Sequence, residues 1–378
     1  MTRFGFVSTY PPTRCGLATF TVSLARAVAD PREAPPSIVR VIDADEDWRT
    51  SPQEVGRVVA AIRADDLASH RTAARALDGC DVVIVQHEFG IYGGEDGAQV
   101  IGILEALRVP AIVVLHTVLP TPSVNQRRIL ERVAGLAAAV VVMTDHALET
   151  LSANYAVDPA RVHLIPHGVA YAPGHAPHHR GTVRRILTWG LLSPGKGLER
   201  GIRALALLRM RGVSAEYVIA GQTHPKVRAH SGESYRESLA GLGRALGVDD
   251  SVVFVDRYLT DDDIAALLAS ADAVLLPYES HEQATSGVLV EAVSAGVPVV
   301  ATAFPHAVEL LGDDDGLGVA VRHDDLAGMA DGLEAIFTAP GTKEGPGSRP
   351  RGRVGLTWAQ VAARYAELSA RLHAVKAA

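Results

Sequence analysis

The fold of this chain is decided by the stretch Glu279-Ser-His-Glu-Gln283-Ala-Thr-Ser-Gly287-Val-Leu-Val-Glu291-Ala-Val-Ser-Ala-Gly296-Val-Pro298. It follows an apolar run at residues 273–277, which predicts a buried strand, and it leads into a helix that ends at Gly296. Polar residues and Gly287 therefore lie where a strand ends and a helix begins. In open α/β sheets ligands bind at this edge, and the free N–H groups of a helix N-terminus favour phosphate. Further along the predicted helix, the carboxylate of Glu291 is in a position to face a ligand hydroxyl.

Short β-branched runs alternate with amphipathic segments along the rest of the chain. They form two series of six, at residues 4–9, 38–42, 82–87, 111–116, 139–144 and 162–165, then at 185–190, 216–221, 252–256, 273–277, 297–302 and 318–321. Helical patterns lie between them, for example at 17–30, 198–211, 261–270 and 326–337. Strands that alternate with helices predict parallel, doubly wound sheets. The expected fold class is therefore α/β, with two similar domains.

The break between the two series lies at residues 171–182, which are rich in Pro, Gly and His and lack periodicity. We interpret this segment as a linker. Its histidines are interpreted as solvated, because no Cys or acidic residue is spaced with them as a metal ligand would be. We expect domains at 1–172 and 184–361 with the linker at 173–183. A Pro/Gly-rich loop at 339–353 precedes a last predicted helix at 358–377.

The bulk composition excludes several classes of protein. A length of 378 residues suits two domains of roughly 150–200 residues, and a hydrophobic content of 48% supports large cores. The net charge of -7, with both signs interspersed, does not resemble the basic footprint of a nucleic-acid binder. Two cysteines are too few for a disulfide framework, which favours a reducing compartment. No run is long enough for a membrane span or a signal peptide, so we expect a cytoplasmic protein.

Candidate site residues in the first half follow predicted strands. Gly16 lies in the first βα turn, where a glycine lets the backbone approach a ligand, although an ordinary turn is the alternative. The turn is not GxGxxG, so the fingerprint of a nicotinamide or flavin cofactor is absent. His87 in Gln86-His-Glu-Phe-Gly90 and His116 in Leu115-His-Thr117 each end a strand. A lone histidine there is more often structural, but two at strand ends of one sheet favour binding of ligand hydroxyls.

The second half carries a candidate phosphate site in Trp189-Gly190-Leu-Leu-Ser-Pro-Gly-Lys196-Gly-Leu-Glu199. A strand, a glycine-rich loop, a lysine and a helix suit a diphosphate, although the spacing is not Walker A and a solvated lysine is the alternative. The polar clusters at 221–225 and 232–236 are equally compatible with structural and functional roles. Arg257 could contact a base or a phosphate. The acidic runs at 43–47, 261–263 and 313–315 are interpreted as helix caps or solvated loops rather than metal sites.

Taken together and in this order, these motifs resemble the retaining glycosyltransferases of family 4. The matching pieces are the Gly16 turn, 115–117, Ile165-Pro-His-Gly-Val169, the Lys196 loop and the stretch 283–298. Gln86-His-Glu-Phe-Gly90, the clusters at 221–225 and 232–236, and Gln283-Ala-Thr-Ser-Gly287 resemble a mannosyltransferase-like branch. The resemblance implies the GT-B fold, in which two Rossmann-like domains face an interdomain cleft and a C-terminal helix, here 362–378, packs back on the first domain.

The resemblance also implies residue roles. His116, Lys196 and Glu291 would be the catalytic set: His116 contacts the transferred sugar, Lys196 stabilises the leaving diphosphate, and Glu291 binds the ribose. The remaining residues implied for donor binding are Gly16, Gly190, Arg257, Gln283, Ser286, Gly287 and Val288. The candidates on the acceptor side are His87, Glu88 and Tyr92. No metal or other cofactor is required, because lysine and helix N–H groups hold the diphosphate.

Two positions depart from the family pattern. Gln283 stands where the family has an acidic residue that touches the donor sugar, and Leu191 stands where it often has an arginine. A glutamine still hydrogen-bonds a hydroxyl but supplies no negative charge, and without the arginine more of the phosphate charge rests on Lys196.

The expected function is transfer of mannose from GDP-mannose to a hydroxyl of an oligosaccharide or polysaccharide, for example a cytoplasmic methylated mannan, with release of GDP. The alternatives are a UDP-sugar glucosyltransferase, a GT-B epimerase, and an inactive sugar-nucleotide-binding protein. The expected partners are the nucleotide sugar and the glycan acceptor. The sequence does not define an oligomeric state.

Overall fold

The computed structural model describes residues 2–42, 55–63, 66–170, 183–312, 316–338 and 356–377. The acidic runs at 43–47 and 313–315, the loop at 339–353 and nearly all of the predicted linker lie outside the described residues. The chain divides into two compact units. The first unit is Met1–Gly168 with Leu356–Ala378, and the second is Val169–Gly355.

The first unit contains a parallel sheet of seven strands in the order β3-β2-β1-β4-β5-β6-β7. Its strands are β1 (Phe4–Ser8), β2 (Ser37–Ile42), β3 (Arg57–Arg63), β4 (Val82–His87), β5 (Ala111–Leu115), β6 (Ala139–Val142) and β7 (Val162–Leu164), followed by the two-residue strand β8 (Gly168–Val169). Apart from the added seventh strand, this is the 3-2-1-4-5-6 order of a Rossmann sheet, which places the end of β1 beside the end of β4.

The second unit repeats this order with six parallel strands, β11-β10-β9-β12-β13-β14. They are β9 (Arg184–Trp189), β10 (Ala215–Ala220), β11 (Val252–Val255), β12 (Ala273–Leu276), β13 (Val299–Thr302) and β14 (Gly318–Val321), while β15 (Leu356–Thr357) pairs with β8. The prediction of an α/β chain with two doubly wound parallel sheets is confirmed.

Helices connect the strands and cover the sheets. In the first unit they are α1 (Gly16–Val28), α2 (Leu67–Ala76), α3 (Val100–Ala106), α4 (Val124–Leu136) and α5 (Asp145–Asn154). In the second they are α6 (Leu198–Met210), α7 (Pro225–Ser231), α8 (Ser234–Ala245), α9 (Asp261–Ser270), α10 (Gly287–Ala295), α11 (Pro305–Leu311) and α12 (Leu326–Thr338), and the last helix is α13 (Trp358–Ala377).

The central strands of the second sheet are apolar on both faces because helices cover both sides. Ile186 and Leu275 point into one core cluster, whereas Leu187, Val274 and Leu276 point into the other. Successive side chains of a strand alternate between faces, so two covered faces produce a continuous apolar run. This is why the sequence shows runs of Val, Ile and Leu without alternation.

The helix α13 packs on the first unit. Val361, Tyr365 and Leu368 are buried and belong to the same core cluster as Phe20 and Leu24 of α1. Their spacing puts them on one face of α13. The last helix therefore completes the core of the unit that contains the first strand.

The expectation of six strands in the first unit is wrong, because β3 at Arg57–Arg63 adds a seventh. This strand lies at the sheet edge, and its side chains alternate between buried and partly or fully exposed positions. An edge strand does not need the continuous apolar run by which the other strands were located.

Candidate functional site

The turn between β9 and α6 holds Lys196 at the carboxyl edge of the second sheet. The Glu279 amide donates to the Gly195 carbonyl at 2.9 Å, so the turn lies against the chain that leaves β12. Gly197 precedes α6 with φ of +62°, and a Cβ there would collide with the Pro277 carbonyl oxygen. Only glycine permits both this backbone conformation and this close contact. The turn is thus fixed next to the stretch 279–298 that follows β12.

The ammonium of Lys196 lies 4.2 Å from the centre of the Tyr278 ring. Tyr278 is buried, and its ring faces the cation with the negative side of its quadrupole. The ion pairs within the described part of the chain do not include Lys196. A cation that is positioned by an aromatic ring and has no carboxylate partner is available for an anionic ligand.

The N-terminus of α10 follows the same strand, β12. Ser286 caps the helix by accepting the Leu289 amide at 3.3 Å, and its own amide donates to Nδ1 of His306 at 2.8 Å. The Ser286 amide is thus engaged by His306 in this structure, and its predicted contact with phosphate remains a prediction. The first N–H groups of a helix have no intrahelical acceptor, so the amides of Gly287 and Val288 remain for a ligand.

Glu291 lies one turn further along α10 and is partly buried. The pKa of its carboxyl is raised to about 7, mainly by burial and also by the negative charge of Asp261, while a hydrogen bond with Trp189 opposes the rise. Because Trp189 is the last residue of β9, Glu291 is joined to the strand that leads into the Lys196 turn. We call Lys196, Tyr278, Gly287, Val288 and Glu291 together the Lys196 face.

Three other predicted donor residues have partners within the second unit. The side-chain amide of Gln283 donates to the Thr285 carbonyl at 3.2 Å. Arg257 is 60% exposed and pairs with Asp263 at 2.7 Å. Its guanidinium therefore contacts the first turn of α9, where Asp263 forms the capping box with Thr260. The amide of Gly190 donates to the Ala220 carbonyl at 3.0 Å. Their contacts with a donor remain predictions.

In the first unit, Gly16 begins α1. The thiol of Cys15 caps this helix by accepting the Ala18 amide at 3.4 Å. A Cβ added at Gly16 would meet no atom within 4 Å, so packing within this unit does not require glycine here. The open space beside the backbone is compatible with the predicted approach of a ligand.

His116 lies at the end of β5 and is held by two neighbours. Its Nε2 lies 2.6 Å from Oε1 of Gln86, and since an amide oxygen only accepts, the proton is on Nε2. Phe20 meets the imidazole edge-on, with ring centres 4.9 Å apart. Burial above all, with smaller contributions from His167 and His87, lowers the pKa of His116 to about 3. The ring is therefore neutral at every physiological pH and offers Nδ1 as an acceptor.

His167 completes this group from the loop before β8. Its Nδ1 lies 2.6 Å from the Gly168 carbonyl, and its ring lies 5.2 Å from that of Phe20. Burial lowers the pKa of His167, like that of His87, to about 4. We call His87, His116 and His167 with Phe20 the histidine cluster.

Two of the three residues predicted on the acceptor side are buried in this structure, and the contacts of all three with an acceptor remain predictions. His87 is 1% exposed, and Tyr92 is buried with its hydroxyl donating to the Gln86 carbonyl at 2.8 Å. Glu88 is partly exposed and accepts from the Thr117 hydroxyl at 2.6 Å. Burial raises the pKa of Glu88, and this hydrogen bond opposes the rise. Of the three residues, only Glu88 is placed to reach a second substrate.

Several residues of the site were not selected from the sequence. Gln86 and Phe20 position His116, Trp189 and Tyr278 position Glu291 and Lys196, and His306 fixes Ser286. Gln86 lies near the end of one apolar run, and Tyr278 directly follows another. Their positions at strand ends could therefore have identified both from the sequence. His306 lies 20 residues from its partner, and no local pattern marks it.

Comparison with known proteins identifies the family. Residues 16–172 match the family described as Glycosyltransferase Family 4, and residues 183–339 match Glycosyl transferases group 1. The chain belongs to glycosyltransferase family 4, as its motifs and both of its sheets indicate.

Curated relatives are about a quarter to a third identical to this chain over the aligned residues. A D-inositol 3-phosphate glycosyltransferase from Actinosynnema mirum is 32% identical over 60% of this chain and 56% of the relative. An MMP alpha-(1->4)-mannosyltransferase from Mycolicibacterium hassiacum is 26% identical over 62% of this chain and 54% of the relative. The matched region spans little more than half the length of these relatives.

Among solved structures, a sucrose-phosphate synthase from Thermosynechococcus elongatus superposes with a TM-score of 0.74 at 16% identity, over 99% of this chain and 100% of that one. This likeness shows the GT-B fold class. In the described ranges no helix is both long and apolar enough to cross a bilayer. The same residues contain no group of three or more His, Cys, Asp or Glu that could hold a metal ion.

Proposed function

We propose that this protein is a retaining α-mannosyltransferase that transfers mannose from GDP-mannose to a hydroxyl of an oligosaccharide or polysaccharide. The observation that carries the proposal is the Lys196 face. One sheet edge presents an ammonium without a carboxylate partner, two open helix amides and a carboxylate. A nucleoside diphosphate has the complementary groups, two phosphates and a ribose diol.

The chemistry follows from the charge that develops during transfer. The acceptor oxygen forms a bond to the anomeric carbon while the bond from that carbon to the diphosphate oxygen breaks. Lys196 and the amides of Gly287 and Val288 stabilise the negative charge that collects on the leaving diphosphate. The acceptor proton passes to that phosphate, on the same side of the sugar, and the anomeric configuration is retained.

His116 supports the sugar rather than accepting the proton. With its pKa near 3 and its Nε2–H donated to Gln86, its Nδ1 accepts a hydrogen bond from a sugar hydroxyl. A group with so low a pKa is a poor general base at neutral pH. This assignment agrees with transfer of the acceptor proton to the phosphate.

Mannose as the sugar is supported by the mannosyltransferase-like motifs and by the relative from Mycolicibacterium hassiacum. A second acceptor class is favoured by the relative from Actinosynnema mirum, whose name specifies D-inositol 3-phosphate. In that case a phosphorylated cyclitol replaces the glycan as acceptor. The cytoplasmic location and the absence of a metal requirement remain predictions.

The test is a matrix of donors and acceptors. The protein is incubated with GDP-mannose, UDP-glucose or UDP-N-acetylglucosamine, each with mannosides or D-inositol 3-phosphate, with and without EDTA, and products are identified by mass spectrometry. We expect mannosylated mannoside and GDP, with EDTA having no effect. Transfer only from a UDP-sugar would contradict GDP-mannose as the donor. Transfer only to D-inositol 3-phosphate would contradict a glycan as the acceptor. No transfer and no thermal stabilisation by any nucleotide would refute it.

A further inference from the structure

His224 lies beside the Lys196 turn, although the sequence left its role open. Leu192 and Thr223 form a parallel bridge, and the amide of His224 donates to the Leu192 carbonyl at 2.8 Å. The loop after β10 therefore runs alongside the loop after β9. This pairing carries the imidazole to the same sheet edge as Lys196.

A network of charged residues holds this loop in place. Thr223 donates its hydroxyl to Glu233, which pairs with Arg236 at 3.4 Å. Arg236 is only 13% exposed, donates to the Gly221 carbonyl at 3.0 Å and pairs with Asp256 at 2.7 Å. The loop is thus fastened to α8 and to the end of β11. A side chain on it keeps its position without a ligand.

The orientation of the imidazole leaves one donor open. Nδ1 of His224 accepts the Lys226 amide at 3.2 Å, which requires the proton of the neutral ring to be on Nε2. In the described part of the chain this Nε2–H has no acceptor. The side chain is partly exposed, so a ligand can reach it.

Two positive charges act on His224 among the described residues. They are Lys196 from the turn before α6 and Lys226 from α7, while Glu233 is engaged by Thr223, Arg228 and Arg236. Burial lowers the pKa of His224, and both lysines lower it further. Without a ligand the ring is therefore neutral at neutral pH. A dianion placed between the imidazole and Lys196 would reverse this balance and favour the imidazolium.

We propose that His224 is a phosphate-binding residue that donates Nε2–H to the diphosphate beside Lys196 and takes up a proton when the diphosphate binds. The inference rests on the proposed function, because it assumes a nucleoside diphosphate in the second unit. It does not depend on the base or the sugar, since a diphosphate is common to all of these donors. It also assigns a second donor to a site in which Leu191 supplies none.

The test compares His224→Ala, His224→Asn and wild type for binding of inorganic pyrophosphate and of GDP by calorimetry at pH 6 and pH 8. Asparagine still accepts the Lys226 amide and keeps an N–H donor, but it cannot take up a proton. His230→Asn, an exposed histidine at the end of α7, is the matched control. Melting temperatures establish that all variants are folded.

We expect His224→Ala to weaken both ligands by about tenfold or more, the usual effect of losing a hydrogen bond to a charged group. His224→Asn should bind well at pH 8 but lose the gain in affinity that wild type shows at pH 6. The phosphates of the ligand also titrate between pH 6 and pH 8, but they do so equally in both proteins. The difference between His224→Asn and wild type therefore reports on His224 alone. Calorimetry in two buffers of different ionisation enthalpy measures the protons taken up on binding. Wild type should take up more protons than His224→Asn.

The outcomes separate the two proposals. Equal pyrophosphate affinity in His224→Ala and wild type overturns the role of His224, while GDP binding leaves the proposed function intact. Pyrophosphate binding that depends on His224, with no extra affinity for any nucleotide, overturns the nucleotide donor but keeps the phosphate role. If wild type binds neither ligand, both proposals fail.

Discussion

The histidine cluster and the Lys196 face lie at equivalent sheet edges of the two units but have opposite electrostatics. In the histidine cluster, burial keeps His87, His116 and His167 uncharged, and the rings of His116 and His167 both contact Phe20. In the Lys196 face, a cation has no carboxylate partner and Glu291 titrates near neutral pH. One fold therefore provides a neutral, rigid surface suited to sugar hydroxyls and a polar surface suited to an anion.

The largest effect on turnover should come from a substitution in the Lys196 face. Lys196→Ala should lower kcat by about 10²–10³-fold, because a preorganised donor to the leaving diphosphate is lost. The measurement is steady-state transfer with GDP-mannose, together with the melting temperature, which should change little. Arg203→Ala on the exposed face of α6 is the control and should transfer normally. Near-normal turnover of Lys196→Ala would mean that the Lys196 face is not the anion-binding edge of the protein.

Glu291 should give the second largest effect, and its sign depends on pH. Its pKa of about 7 means that burial disfavours the carboxylate in the folded protein. Folding is thus penalised above the unfolded pKa, by up to about 3 kcal/mol above pH 7, and not penalised at pH 4. Glu291→Gln should raise the melting temperature at pH 8 and not at pH 4.

The same carboxylate should make nucleoside binding pH-dependent in the opposite direction from diphosphate binding. Ribose hydroxyls donate to the ionised form, so guanosine affinity should be full above pH 7 and fall as the pH drops below it. Glu291→Gln should bind guanosine weakly and without this dependence. A guanosine affinity in wild type that is constant from pH 5.5 to 8.5 would contradict the role of Glu291.

A smaller effect is expected from Gln86, which positions His116 without touching substrate. Gln86→Leu removes the acceptor of the His116 Nε2–H, so the ring can change its tautomer and orientation. We expect kcat to fall about tenfold and stability to fall by about 1–3 kcal/mol, with KM for the nucleotide unchanged. Gln86→Glu, which keeps an acceptor, should restore most of kcat.

The control for this variant is Tyr92→Phe, which removes the hydrogen bond to the Gln86 carbonyl. It should lower stability without the fall in kcat. Equal kcat losses in Tyr92→Phe and Gln86→Leu would mean that Gln86 acts only through the stability of the strand end.

The last prediction is that pH has no effect on the histidine cluster. With pKa values of about 3 to 4, the three imidazoles of the histidine cluster should keep constant NMR shifts from pH 5.5 to 8. Assignment by His116→Gln, His87→Gln and His167→Gln identifies the three signals. Titration of His116 within this range would mean that the cluster is open to water.

Elements with strong local patterns could be predicted from the sequence. The strand β4 and the helix α9 have the predicted bounds, because an apolar run or a capped amphipathic pattern defines both ends. Strand β3 was missed because an edge strand needs only one fully buried face. Lys196 and Glu291 were found from their places after strand ends, which parallel topology brings to one edge.

The positioning contacts could not be predicted in this way. His306 reaches Ser286 across two elements, and Trp358 reaches Phe20 from the other end of the chain. The burial of His87 and Tyr92 could not be predicted either, since a strand end marks a position but not whether the side chain meets solvent. Such contacts depend on packing of distant segments rather than on spacing.

Gly168 faces Trp358 so closely that a Cβ would lie within 3 Å of the indole, and the same indole lies 4.9 Å from Phe20 of the histidine cluster. Trp358 begins α13, and the ribosome makes α13 after the whole of the second unit. The second unit can therefore fold first, although the first unit begins with the earliest residues. Until α13 is made, the nascent chain lacks the ring that packs against Phe20 and His167, so the histidine cluster is completed only after the second unit has been synthesised.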